Sequence, residues 1–287
     1  MTRLLNLSVA GVGSVVLAWL FSTATAIAPH QALSGAGDPL AIAAAVTSQA
    51  RVGGPPFYAL QYRGEVERGL LVDVSGSANP ARLTGMGLRG GGSAVRSLTR
   101  RGDPYLRFGP RVCPAASSCT WAVATPVHDV GPGRGGNAPF AFGAMVRLTE
   151  PGHGSAMTVM QRGSGGGSDQ GGGAGGGPRW ALEVDDGQVS CRWSDGVREV
   201  LLPDDLGRSF RLAVGRWYGL RCMRAAGGRF NLTVTDPMTA WPLARYTVRN
   251  PGIGAISASG PTTIGGSARR GADQFRGDLD EITFHSD

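Results

Sequence analysis

The chain has 287 residues, among them 47 Gly, 18 Pro, 28 Arg and no Lys, and a formal net charge of +7. The glycines follow no G-X-Y period, which excludes collagen, and scarce Glu with absent Lys argues against coiled coil and long helices. The hydrophobic fraction of 41% is enough for a core, and the length suits a leader followed by one large β domain or two small ones.

Residues 1–28 read as an export signal. Arg3 supplies the positive start, 4–21 form a mostly apolar run, and Ala24-Thr25-Ala26 and Ala26-Ile27-Ala28 offer small-residue cleavage sites. The apolar run approaches the roughly 20 residues that span a bilayer, so retention as an anchor is the competing reading. The small residues, Pro29 and the lack of a following positive cluster favour cleavage and a secreted or envelope-associated chain. Residues 29–56, rich in Ala, Gly and Pro, read as a linker in which Leu40–Val46 suits a short helix.

From Phe57 the apolar period becomes 2, the signature of strands. Phe140–Leu148 is the longest alternation, and Trp180–Val184, Val189–Trp193, Phe210–Val214, Tyr218–Cys222 and Phe230–Val234 follow. Asp185-Asp186-Gly187 predicts a hairpin turn, and Ser194-Asp195-Gly196 and Ala226-Gly227-Gly228 predict similar ones. Short strands with regular turns imply an all-β antiparallel sandwich over 57–287. Residues 163–177 hold ten glycines. They read as a solvated loop between strands, because no helix and no Lys-Ser/Thr pair follows to make a phosphate cradle.

Four cysteines in an exported chain predict two disulfides, with three possible connectivities. Cys113 and Cys119 are close enough for a small local loop, which leaves Cys191 with Cys222. Metal-ligand C-x2-C spacing is missing. The arginines are scattered, with doublets only at Arg100-Arg101 and Arg269-Arg270, and no aromatic-basic motif accompanies them. The charge therefore does not point to nucleic acid, although attraction to anionic envelope polymers or acidic glycans remains open.

Five segments resemble, in order, the laminin-G-like, concanavalin A-like lectin/glucanase jelly-roll family. They are Leu71-Val72-Asp73-Val74-Ser75-Gly76, Val159-Met160-Gln161-Arg162-Gly163, Gly215-Arg216-Trp217-Tyr218, Thr262-Thr263-Ile264-Gly265-Gly266 and Phe275-Arg276-Gly277-Asp278-Leu279-Asp280-Glu281-Ile282. The resemblance implies a jelly-roll β-sandwich over about 65–287. It also implies a Cys191–Cys222 bridge tying two adjacent strands, as in exported bacterial members. The Cys113/Cys119 pair and the Gly-rich insertion have no counterpart in the family pattern.

The family includes glucanases, which carry paired carboxylates in an E-x-D-x-(x)-E pattern. Glu183-Val184-Asp185 gives only its first half, and Asp278-Leu279-Asp280-Glu281 lacks its leading Glu. His30, His128, His153 and His285 fall in linker, loop and tail contexts, and no G-x-S-x-G elbow is present. A catalytic site is therefore not expected. The resemblance implies that Asp73 and Asp280, with Asp278 as a third carboxylate, could hold a structural calcium; the alternative is that Asp280 caps a neighbouring loop. Trp121 and Trp241 lie in irregular segments and are the candidate platforms for a sugar, whereas Trp180 and Trp217 alternate as core. The expected function is a secreted, non-catalytic module binding a glycan or cell-envelope polymer. A polysaccharide hydrolase and a structural envelope protein are the alternatives.

Overall fold

The computed structural model describes residues 58–84, 95–100, 102–109, 122–132, 136–151, 156–163, 177–266 and 274–286. The leader, the linker, Cys113, Cys119, Trp121, His30, His153 and most of the Gly-rich segment lie outside these residues. The chain divides into units of Met1–Gln49 and Ala50–Asp287, and all described residues belong to the second.

Among the described residues sixteen strands run in chain order. They are β1 (Tyr58–Glu67), β2 (Leu70–Asp73), β3 (Ala81–Thr84), β4 (Val95–Arg100), β5 (Asp103–Phe108), β6 (Val123–Pro126), β7 (Phe140–Leu148) and β8 (Met157–Arg162), followed by β9 (Arg179–Asp185), β10 (Gln188–Ser194), β11 (Glu199–Leu202), β12 (Trp217–Ala225), β13 (Arg229–Thr235), β14 (Pro242–Arg249), β15 (Thr262–Ile264) and β16 (Gly277–Ser286). They form one antiparallel sheet in the order β11-β10-β9-β8-β15-β6-β3-β2-β1-β16-β7-β12-β13-β14, with β5 joined to β16 and β4. Among the described residues the only helix is one 3-10 turn, Leu206–Arg208, and no helix is long and apolar enough to cross a membrane.

The sheet folds back on itself, so that β9 and β10 face β7, β12 and β13 across a shared core. Phe142 lies 4.6 Å from Trp180, and Trp193 lies 5.1 Å from Phe230, centroid to centroid. Phe140 and Phe284 extend the cluster. Tilted and edge contacts of this kind are worth about 0.5–1.5 kcal/mol per pair beyond the area they bury. The Cys191–Cys222 disulfide crosses the same core. Its two strands, β10 and β12, are not neighbours in the sheet, so the bridge ties facing halves and not adjacent strands as the resemblance implied.

The predicted hairpin at 185–187 is present. Asp186 and Gly187 both adopt positive φ between the paired residues Asp185 and Gln188, the twist-matched turn that two-residue hairpins favour. At Gly265, also with positive φ, an added Cβ would lie 2.1 Å from the Phe108 ring, which explains the glycine that ends β15.

Two expectations are corrected. Residues 210–214 do not form a strand, and Arg211 makes only an isolated bridge to Gln188. Leu212 donates its N–H to the Gly187 carbonyl, and Ala213 donates its N–H to the Tyr218 hydroxyl. The backbone is thus committed to a turn and a side chain instead of a ladder. His285 is not in a tail but in β16, opposite Ala141 of β7.

Candidate binding surface

The opening turn after β2 is organised by Asp73. Its carboxylate accepts the backbone N–H groups of Gln61, Ser75 and Asn79 at 2.9, 3.0 and 2.9 Å. It also accepts the hydroxyls of Ser75 and Ser77 at 3.0 and 2.6 Å. Burial works against its charge, but donation from Ser77, Gln61, Asn79 and Ser75 outweighs burial and holds the carboxyl below its usual range. Tyr62 and Asn79 complete the turn, the first donating its hydroxyl to the Asn79 carbonyl and the second its side-chain amide to His128. Five donors occupy Asp73, so the residue works as a turn cap.

Asp278 is buried at 0% exposure and engaged by two arginines, with Arg107 Nε at 2.7 Å and Arg147 Nη2 at 2.5 Å. Arg147 in turn lies over the rings of Tyr105 and Trp217, at 5.5 and 5.0 Å. Trp217 is therefore half-buried on the outer face, where it holds a cation, and is not in the core as its alternation implied. A carboxylate flanked by two guanidiniums has no affinity left for a cation.

Asp280 lies two residues further along β16, just before a register shift in the β7 ladder. It accepts the Glu281 N–H at 2.7 Å, and Glu281 itself has positive φ. Burial, with the charges of Glu281 and Asp103, pushes Asp280 up to about 6 against the opposing pull of Glu281 N–H and Arg63. Among the described residues no group of three or more His, Cys, Asp or Glu could hold a metal ion. The carboxylate oxygens of Asp73 and Asp278 are spent accepting from protein partners, so the expected calcium set does not fit.

Glu183 and Asp185, the first half of the carboxylate pattern, lie at the end of β9. Glu183 contacts Arg192 at 3.5 Å, Arg192 also reaches Glu199, and Arg179 meets Glu199 at 3.0 Å. This is a charge-balanced network across β9, β10 and β11. Asp185 closes the hairpin. Asn231, which begins an Asn-Leu-Thr sequon, is buried and accepts the Thr247 hydroxyl at 2.8 Å.

Trp241 lies at the β13–β14 turn and is 70% exposed, with Met238 beside it in the turn at 81%. The turn is tightly held. Asp236 donates its N–H to the Trp241 carbonyl at 2.9 Å, Met238 N–H reaches Asp236 Oδ1 at 2.8 Å, and Arg216 fixes Asp236 Oδ2 at 2.6 Å. A large aromatic is thus presented to solvent on a preorganised turn. At the open side of the sheet, the end strands β11 and β14 flank a groove of about 320 Å³ lined by residues such as Leu202, Pro203, Arg245 and Tyr246. The Tyr105–Arg147–Trp217 stack was not read from the sequence; its only local signal is Arg147, which interrupts the apolar run of β7.

No family model matches the chain, and no curated protein matches it. Solved structures do. The botulinum neurotoxin serotype G binding domain superposes with a TM-score of 0.50 at 11% identity, over 79% of this chain and 47% of that one. The binding domain of Paraclostridial Mosquitocidal Protein 1 gives 0.49 at 12% identity, over 79% and 48%. The botulinum neurotoxin serotype D binding domain gives 0.49 at 11%, over 80% and 47%. The chain spans about half the length of these structures, and the likeness to the serotype G domain concerns the all-β fold alone.

Proposed function

We propose that the chain is a secreted, non-catalytic binding module for a carbohydrate or cell-envelope polymer. We further propose that its sheet is a jelly-roll β-sandwich of the laminin-G/concanavalin A-like kind. Support for the architecture comes from the five resembling segments, which fall in order at β2, β8, β12, β15 and β16, and from the facing halves of the sheet. The binding reading is carried by Trp241. An exposed indole fixed on a hydrogen-bonded turn offers a flat apolar face for a sugar ring, with little ordering left to do on binding.

A glycan array with wild-type protein and Trp241→Ala tests the reading. Saturable binding that falls at least about tenfold in the variant, the loss of roughly 1.4 kcal/mol of contact, supports it. No binding to any glycan, with or without calcium, would favour a structural envelope role. Clear hydrolysis of a β-glucan, lost in Glu183→Gln, would overturn the non-catalytic reading.

A further inference from the structure

Strands β12, β13 and β14 contain five arginines and no acidic residue. Arg224 is directed inward, 5% exposed, and donates to the carbonyls of Gly136 and Ile253. The other four, Arg221, Arg229, Arg245 and Arg249, are exposed. The strand register puts them on one face, because Arg221 pairs with Thr233, Thr233 with Arg245, and Arg229 with Arg249. The alternate residues Cys222, Phe230 and Leu232 are buried, so this face is the outer one. Among the described residues none of the four side chains makes a hydrogen bond or an ion pair.

Many arginines elsewhere are matched. Arg107 and Arg147 share Asp278, Arg179 and Arg192 share Glu199, and Arg216 holds Asp236. Arg68, Arg82 and Arg100 are also exposed without an acidic partner among the described residues, but they sit apart, in the β1–β2 turn, on β3 and on β4, whereas these four share one three-stranded face. Charged residues on an exposed edge discourage sheet-to-sheet pairing, which accounts for Arg245 and Arg249 on the end strand. It does not account for Arg221 and Arg229, which sit on interior strands. Strand spacing places the Arg221 and Arg245 backbones about 10 Å apart, and Arg245 and Arg249 about 13 Å apart. Between them lie Thr233, Asn231, Thr247 and Met223, with no aromatic ring on which a base could stack.

We propose that this face docks an acidic polysaccharide. Its carboxylates pair with the planar guanidiniums, and its hydroxyls meet Thr233 and Thr247. The inference rests on the binding-module reading and names the charge class of its ligand. It is tested with purified full-length protein passed over immobilised polygalacturonate, neutral galactan and single-stranded DNA, at increasing salt. Wild type is retained on polygalacturonate and released toward about 1 M salt, where the screening length falls to about 3 Å. Replacing Arg221, Arg229, Arg245 and Arg249 together by Gln weakens binding by about 3-fold per residue, roughly 80-fold in all. Replacing the exposed Arg68, Arg82 and Arg100 by Gln leaves it within about 3-fold. Equal melting temperatures establish that both variants are folded.

Equal retention of the two variants on polygalacturonate overturns this face as the site while leaving the binding module intact. Tighter retention on DNA overturns the polysaccharide and points to nucleic acid. Equal retention on galactan removes the charge requirement but not the module. No retention on any polymer overturns both.

Discussion

Replacing Asp278 by Asn keeps the shape of the side chain and removes the one charge that two arginines share. Asp278 is fully buried, Arg147 is 20% exposed and Arg107 is 38% exposed. With the carboxylate gone, two guanidiniums about 5 Å apart repel by roughly 3 kcal/mol at an effective dielectric of 20. Arg107 can turn into solvent and relieve part of this. Arg147 cannot move as freely, because Tyr105 and Trp217 hold it. The net cost is about 2 kcal/mol, in the range expected when one partner of a buried ion pair is lost and the others keep some solvent. Urea denaturation should show that loss, and calorimetry a fall in Tm of about 4–8 °C for a domain of this size. Adding Arg147→Met should restore at least half of the stability, since Met fills the space between the rings without charge. An Asp278→Asn variant within about 0.5 kcal/mol of wild type would refute the argument, and so would a double variant less stable than the single one.

Three further outcomes follow from the same structure. Asp280 has its folded pKa raised from 3.8 to about 6, so the native state holds this proton more tightly and stability falls as pH rises through that window. Asp280→Asn should remove this slope and stabilise the protein at pH 7 by about 1 kcal/mol, after discount for partial exposure; an unchanged pH profile of Tm would refute it. Removing the Cys191–Cys222 bridge, whose ends are 31 residues apart, by a double Ala substitution should cost about 3.5 kcal/mol in denaturant unfolding. A cost below about 1 kcal/mol would mean the bridge constrains little. Arg162 and Trp180 are ladder partners, so the ends of the Gly-rich connection are already side by side. Deleting 165–176 should leave Tm within about 3 °C, and a fall above about 10 °C would contradict a loop role.

The strands that were legible in the sequence are those with one apolar face. β7, β9, β10, β12 and β13 alternate Phe, Trp, Leu and Val strongly enough to be read directly. β14 was missed although Ala244, Tyr246 and Val248 alternate with Arg245, Thr247 and Arg249, because this end strand's apolar set is small and only partly covered by the core. Phe210–Val214 alternates and still is not a strand, because the hairpin at Gly187 and the Tyr218 hydroxyl take its backbone groups. The candidate carboxylates were found by motif, but their occupants were not. Arg107 and Arg147 are 171 and 131 residues from Asp278, and nothing local announces such a meeting. The arginine face is the same lesson in charge. Residues 221, 229, 245 and 249 look scattered along the chain, and only strand register brings them to one surface.

The position of β16 has a consequence for the order of events during synthesis. It is the last strand in chain order, yet it lies between β1 and β7 and also pairs with β5. Tyr58 must wait for His285 before its ladder can close. Pairings of such sequence separation make for slow, late consolidation. Until residues beyond about 277 have been made, β1, β5 and β7 lack the strand that joins them, so the ladders it makes can close only after the segments between have been synthesised.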